Sequence, residues 1–232
     1  MLLPIHRVYP WLLQNLIWIP TRLLFKFFLR LKIEGTEHLA PLSPGLIFAL
    51  NHTSELDPVI LPASLPFLSR FGPMFYTSRE RAFYKTSGWR QLFYGGLFFK
   101  IWGAYPVIPS LKDRDTSLNN HIEIIERGGS VCIFPEGGKS KDGNLRPPRS
   151  GVAYLSWKTG APVVPVSIKG LYRLSPRDFI GRRRNVVLRF GRPLFPRDIF
   201  DSKAESDGDA DIYKFFRPAA ELIMKRIAEG LR

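Results

Sequence analysis

Beyond residue 30 the chain alternates short apolar runs with longer stretches whose apolar positions recur at helical spacing. The runs at 45–50, 74–77, 105–108, 130–134, 163–168 and 185–190 predict strands. Residues 58–64, 88–102, 117–127, 151–159 and 211–230 predict helices. In the last of these, Ile212, Phe215, Phe216, Ala219, Leu222, Ile223 and Ile227 share one face, the pattern of an amphipathic helix. Apolar strands alternating with helices predict an α/β fold with a largely parallel central sheet flanked by helices. The polar, acidic stretch 201–211 predicts a mobile loop.

The N-terminal segment has a different pattern. From Val8 to Thr21 there is no charge, and the run holds Trp11, Leu12, Leu13, Leu16, Ile17, Trp18 and Ile19. It falls short of the roughly 20 apolar residues that a membrane-spanning helix needs. Apart from Arg7, its charges follow the apolar run, where a cleaved signal peptide would have them first. Pro20 predicts a break that leaves helices at about 9–19 and 21–31. In the second helix Arg22, Lys26 and Arg30 recur every fourth residue beside Leu23, Leu24, Phe27, Phe28 and Leu31. A basic stripe on an apolar body is the pattern of a helix lying among lipid headgroups. The competing reading is a core-packed helix with one solvated edge, against which stands the density of Trp, Leu and Phe. The expected division is therefore a membrane-associated helical pair over 1–31 and an α/β domain over 32–232 that includes the C-terminal amphipathic helix.

Composition adds one strong constraint. Lys and Arg number 34 against 20 acidic residues, a formal charge of +14, which calls for an anionic partner: nucleic acid, an anionic bilayer or a phosphorylated substrate. At 232 residues and 45% hydrophobic content the chain can bury a sizeable core. The single cysteine, Cys132, lies in an apolar run, so no internal disulfide forms, and His and Cys are too few and scattered for a zinc site. No metal is expected.

Two predicted strands run directly into unusual polar segments. Residues 45–50 lead into Asn51-His52-Thr53-Ser54-Glu55-Leu56-Asp57, and residues 130–134 into Pro135-Glu136-Gly137-Gly138-Lys139-Ser140. In open α/β sheets chemistry sits beyond the carboxyl ends of strands, so parallel neighbours would bring both segments to one edge. Residues five apart on a regular helix point about 140° away from each other, so a His52–Asp57 pair needs a turn at the helix start. Such a pair makes His52 a general base. Alternatively Asp57, just before Pro58, is an N-cap. Gly137 and Gly138 let backbone amides approach an anion, with Lys139 and Ser140 adding a cation and a hydroxyl; a plain Gly-rich turn is the alternative. A P-loop would need glycine where Ile133 stands. No Gly-x-Ser-x-Gly elbow occurs, which points to direct attack by an acceptor hydroxyl rather than a serine intermediate.

Together these segments resemble motifs of the 1-acyl-glycerol-3-phosphate acyltransferase family. Residues 51–57 look like its Asn-His-x4-Asp motif, residues 134–140 are similar to its Phe-Pro-Glu-Gly-(Thr/Gly)-Arg-Ser motif, and Val164-Pro165-Val166-Ser167-Ile168 to its Val-Pro-Val strand. The likeness covers roughly residues 31–193. It implies that His52 deprotonates the acceptor hydroxyl, that Asp57 orients it, and that Glu136, Gly137, Gly138, Lys139 and Ser140 bind the acceptor. The implied donor is acyl-CoA or acyl-carrier protein, a substrate rather than a cofactor, and the implied acceptor is a lysophospholipid, 1-acyl-glycerol-3-phosphate. It further implies a monotopic or peripheral membrane enzyme with its active site on the cytoplasmic side. Two features depart from the family. Lys139 replaces an arginine, and the second motif has Pro109 where arginine is usual, with Lys112 or Arg114 the nearest substitutes. An acyltransferase for another hydroxyl therefore stays open. So does a non-enzymatic basic module built on Arg173, Arg177 and Arg182–Arg184, although a nucleic-acid binder has no use for Trp11, Trp18 and the 25–28 aromatics.

Overall fold

The computed structural model describes residues 5–78, 97–107, 114–200 and 212–232. The predicted 201–211 loop, most of the 88–102 helix, Pro109 and Lys112 lie outside the described residues.

Seven strands form one sheet: β1 (Lys32–Glu34), β2 (Ile47–Leu50), β3 (Met74–Ser78), β4 (Ala104–Pro106), β5 (Ser130–Ile133), β6 (Val163–Lys169) and β7 (Val187–Phe190). Their order is β1-β7-β6-β2-β5-β3-β4, and every pairing is parallel except β6 with β7. The expected largely parallel α/β architecture is what forms. The central runs are mostly apolar and buried at nearly every position because both faces are covered. In β2, Phe48 and Leu50 join one core layer while Ile47 and Ala49 join the other. Phe48, fully buried, meets Phe71 and Phe190 edge to face.

Helices α1 (Ile5–Leu16), α2 (Trp18–Phe28), α3 (Asp57–Ser64) and α4 (Leu97–Trp102) precede the middle strands in the chain or interrupt them. Helices α5 (Arg114–Glu126), α6 (Gly151–Thr159), α7 (Pro176–Ile180), α8 (Pro196–Ile199) and α9 (Ile212–Gly230) follow. One core layer takes Phe25 and Leu29 beside Ile60 and Leu61 of α3. The other is filled by Leu118 and Ile122 of α5, Val152 and Leu155 of α6, and Ile223 and Ile227 of α9. The predicted helix at 151–159 and the C-terminal amphipathic helix form where their periodicity put them.

The N-terminal pair differs from its sequence expectation. The break falls at Ile17, and Pro20 sits in the first turn of α2, where its missing N–H has no intrahelical partner to lose. The helix ends at Phe28, so Arg30, with φ +48°, is off the helix, and the expected stripe of Arg22, Lys26 and Arg30 does not form. Arg22 turns inward instead. Its Nη1 donates to the Ala63 carbonyl at 2.7 Å, and its guanidinium lies 5.3 Å from the Trp18 ring. Trp18 Nε1 donates to Leu65 O at 3.1 Å. Gln14, buried in an otherwise apolar turn, donates to the carbonyls of Met74 and Trp102 and accepts from Met74 N–H. The helices are thus bonded by polar side chains to the sheet and to α3. Outward, Leu16, Leu23 and Phe27 are 77%, 61% and 55% exposed.

Two predictions follow from buried polar groups. Replacing Gln14 by Leu would orphan three backbone groups of β3 and α4, so unfolding free energy should drop by about 2–4 kcal/mol in urea titration. His121 of α5 is fully buried against Tyr76 O at 3.3 Å, and burial pushes its pKa down to about 4. The unfolded chain therefore binds this proton below about pH 6.5 while the native state stays neutral. Stability from this group is complete above that pH and is lost as pH falls toward 4, by about 3 kcal/mol in all. Unfolding of His121→Leu at pH 7 and pH 4.5 should lack that share of the slope.

Candidate active site

β2 and β5 are adjacent and parallel, with Phe48 opposite Cys132, so the segments that follow them leave the sheet side by side. Asn51 extends the ladder with its side chain: Oδ1 accepts from Ile168 N–H at 2.8 Å and Nδ2 donates to Ile168 O at 2.9 Å. That bond fixes the start of the first segment against β6. The chain then turns through Ser54 and enters α3 at Asp57-Pro58.

Asp57 is fully buried and does not cap the helix. Its Oδ2 accepts from Thr53 N–H at 2.7 Å, Ser54 N–H at 2.8 Å and His52 Nδ1 at 2.9 Å. The first two bonds hold the turn closed and fix the carboxylate. The third sets the imidazole tautomer: with Nδ1–H donated to Asp57, the lone pair is on Nε2. The imidazole lies flat on Phe134, ring centres 4.2 Å apart, and its side chain keeps 17% exposure. Phe134 comes from the second segment, so the imidazole rests on a floor supplied by the residue that follows β5. Beneath it, Cys132 is buried, and burial together with the nearby Asp57 carboxylate pushes its thiol pKa well up.

Backbone bonds join the two segments. His52 N–H donates to Glu136 Oε1 at 2.8 Å, and Ser140 N–H donates to His52 O at 2.8 Å. The other Glu136 oxygen accepts from Arg146 N–H at 3.0 Å. Glu136 is 2% exposed, and burial raises its pKa while the two amides oppose that shift. Its carboxylate faces the backbone and holds the loops together, where the sequence expects an acceptor contact. Ser140 also bonds within the loop. Its buried hydroxyl donates to Asn144 O at 2.7 Å and accepts from Gly143 N–H at 3.0 Å, closing the 140–144 turn.

Gly137 has φ +67°, and a Cβ there would meet Arg149 Nε at 2.4 Å, so glycine is required by both backbone and neighbour. Arg149 N–H donates to Pro135 O at 2.7 Å, which pins the arginine beside the turn, and its exposed guanidinium makes no ion pair among the described residues. Lys139 Nζ meets Glu55 Oε1 at 2.6 Å, linking the segments at the surface. Sequence reading missed Arg149, which stands twelve residues past Gly137 in a polar, proline-rich stretch without periodicity. Its position just before the helix start at Gly151 was the one available signal.

These features define an α/β protein that carries a histidine–carboxylate pair and a cation-flanked glycine turn at the carboxyl edge of parallel strands. Residues 30–169 match the acyltransferase family model, and the chain belongs to that family. It is 29% identical over 183 residues to the chloroplastic 1-acyl-sn-glycerol-3-phosphate acyltransferase BAT2 of Brassica napus, covering 77% of this chain and 47% of that protein. It is 28% identical over 164 residues to the human 1-acyl-sn-glycerol-3-phosphate acyltransferase beta, covering 67% and 54%. The chain spans about half the length of these relatives. Its fold matches the crystal structure of the Thermotoga maritima 1-acyl-sn-glycerophosphate acyltransferase PlsC, with a TM-score of 0.61 and 22% identity over 94% of this chain and 76% of that one.

Glu136→Gln tests the clamp. The new amide NH2 must oppose one of the two backbone N–H donors inside the protein, so unfolding free energy should fall by about 2–3 kcal/mol in denaturant titration. Unchanged stability would remove Glu136 from its linking role.

Proposed function

We propose that this chain transfers a fatty acyl group from a thioester, acyl-CoA or acyl-carrier protein, to the free hydroxyl of 1-acyl-glycerol-3-phosphate. The observation that carries the reading is the His52 Nδ1–Asp57 Oδ2 bond of 2.9 Å. With Asp57 holding Nδ1–H, Nε2 takes the proton from the acceptor hydroxyl as its oxygen attacks the thioester carbonyl. The tetrahedral adduct collapses, the C–S bond breaks, and the thiolate leaves with the proton that His52 returns. Asp57 stabilises the imidazolium in between. The products are an ester and a free thiol, so atoms and charge balance.

The acceptor phosphate falls to the two cations beside the glycine turn. Among the described residues, Lys139 pairs with Glu55, the partners being 44% and 55% exposed, and such pairs contribute about 0–1 kcal/mol. A phosphate can displace Glu55 at little cost. Arg149 offers a planar, two-pronged grip that a lysine lacks. The choice of acceptor follows the names of the relatives. A purely basic binding module is disfavoured because burying Asp57 beneath an imidazole serves no purpose in it.

We further propose that α1 and α2 dock on a bilayer surface through Leu16, Leu23 and Phe27. No helix among the described residues is long and apolar enough to cross a membrane. The inward polar bonds of Gln14, Trp18 and Arg22 leave the apolar side outward, which suits an interfacial helix pair.

An acyl-transfer assay with a panel of lysolipids and both donor types tests the reaction. His52→Ala should lose about 10²–10⁴-fold in turnover while remaining folded at the assay temperature; wild-type turnover would remove His52 from the mechanism. Arg149→Ala and Lys139→Ala should each raise KM for the phosphorylated acceptor several-fold while sparing KM for the donor. Equal effects on both substrates would count against a phosphate role.

A further inference from the structure

The expected basic stripe on α2 is broken in the structure: Arg22 is bonded to Ala63 O, and Arg30 lies past the helix end. Exposed apolar residues on α1 and α2 are therefore left with Lys26 as the exposed cation within α2. Other cations are brought to the same place by a distant part of the chain. The segment 170–184 carries five arginines and one aspartate. Its α7 is capped by Ser175 and Asp178, and its far end is packed on the end of α2. Arg182 Nε donates to Phe27 O at 3.0 Å, and the Arg182 guanidinium lies 4.2 Å from the Phe27 ring. Phe179 stacks on Phe28 with centroids 4.9 Å apart.

Between Phe179 and Arg182 the chain leaves Ile180 with 70% of its surface exposed, among the most open of the large apolar side chains. Arg177 and Arg183 flank it, both exposed and without an ion pair among the described residues. Arg184, by contrast, is held by Asp178 at 3.2 Å. An apolar tip ringed by free arginines and continuous with an apolar helix face fits one occupant, an anionic lipid bilayer. The segment's near end reaches the candidate active site: Tyr172 Oη donates to Lys141 O at 2.7 Å, and the ring packs on Gly143.

We propose that the 170–184 segment forms the second half of the bilayer-docking face, with Ile180 entering the headgroup layer and Arg177 and Arg183 contacting anionic headgroups. The proposal extends the docking role given to α1 and α2 and rests on that reading for its continuity. The face so completed runs from Leu16 through Phe27 and Ile180 to the loop beside Lys139. A lysolipid held in that bilayer then meets the site at the membrane edge.

Vesicle flotation of the full chain tests it, using phosphatidylglycerol-containing and pure phosphatidylcholine vesicles. Arg177→Gln with Arg183→Gln should weaken binding to the anionic vesicles roughly 10- to 30-fold, by about 1 kcal/mol per arginine, and barely change binding to neutral ones. Ile180→Ser should weaken binding to both about tenfold. A third variant, Leu16→Ser with Leu23→Ser, reports on the helix pair alone. If only that variant loses binding, the helix face stands and the 170–184 proposal is overturned. If only the loop variants lose it, the loop proposal stands and the helix reading fails. Full binding by all three overturns both. Arginine-dependent binding to a nucleic-acid duplex, with vesicle binding untouched, would also overturn the bilayer as occupant.

Discussion

The site depends on one buried carboxylate. Glu136 accepts an amide from His52, which follows β2, and another from Arg146, in the loop that returns toward α6. A carboxylate that is 2% exposed is tolerable only because both oxygens have donors. The reverse bond, Ser140 N–H to His52 O, leaves the His52 peptide groups held on both sides by the second segment. The His52 imidazole therefore hangs from a backbone with little freedom, rests on Phe134, and is steered by an Asp57 fixed through two further amides. On the proposed reading, reach and angle are set before any substrate arrives, and that preorganisation is what a general base needs.

Much of this was legible in the sequence, for identifiable reasons. Strands buried on both faces are mostly apolar, so β2, β5 and β6 stood out as runs, and the polar residues after β2 and β5 marked where the sheet ends. Parallel adjacency of β2 and β5 then brought together segments some eighty residues apart. The internal division of labour was not legible. Residue type alone cannot tell a carboxylate that faces a ligand from one that faces two amides, as Glu136 does here. Nor can it show that Gln14, one polar residue in an apolar run, completes the hydrogen bonding of β3 and α4. Edge strand β1 spans three residues, Lys32-Ile33-Glu34, too short to show a period. The Pro20 error has a definite cause. A proline that breaks a helix interior is welcome in a first turn, and only the position of the preceding break at Ile17 decides between the two.

The N-terminal pair inverts the usual arrangement of a surface helix. Its hydrogen-bonding side chains point inward, at Met74, Trp102, Leu65 and Ala63, while Leu16, Leu23 and Phe27 point out. Directed bonds add to the apolar attachment that Phe25, Leu13 and Ile17 make to the core, so Leu16, Leu23 and Phe27 are not needed for it. The same logic governs α7, where the arginine that grips Phe27 and the one that grips Asp178 are structural, leaving their neighbours open.

The replacement of arginine by Lys139 also takes a physical meaning from the fold. Phosphate recognition by arginine rests on a rigid fork, which a lysine ten residues earlier in the chain cannot reproduce, but the fork need not come from the same position. Gly137, by lacking a Cβ, lets the Arg149 side chain lie directly on the turn that Lys139 follows. The Pro135 carbonyl bond holds the Arg149 backbone there, so the guanidinium is delivered by the loop rather than by the strand end. On the proposed reading, one phosphate then meets a point charge on one side of the glycine turn and a planar donor on the other. Binding strength is in that way divided between two chain segments, and the Glu136 clamp that joins those segments fixes the gap the phosphate must span.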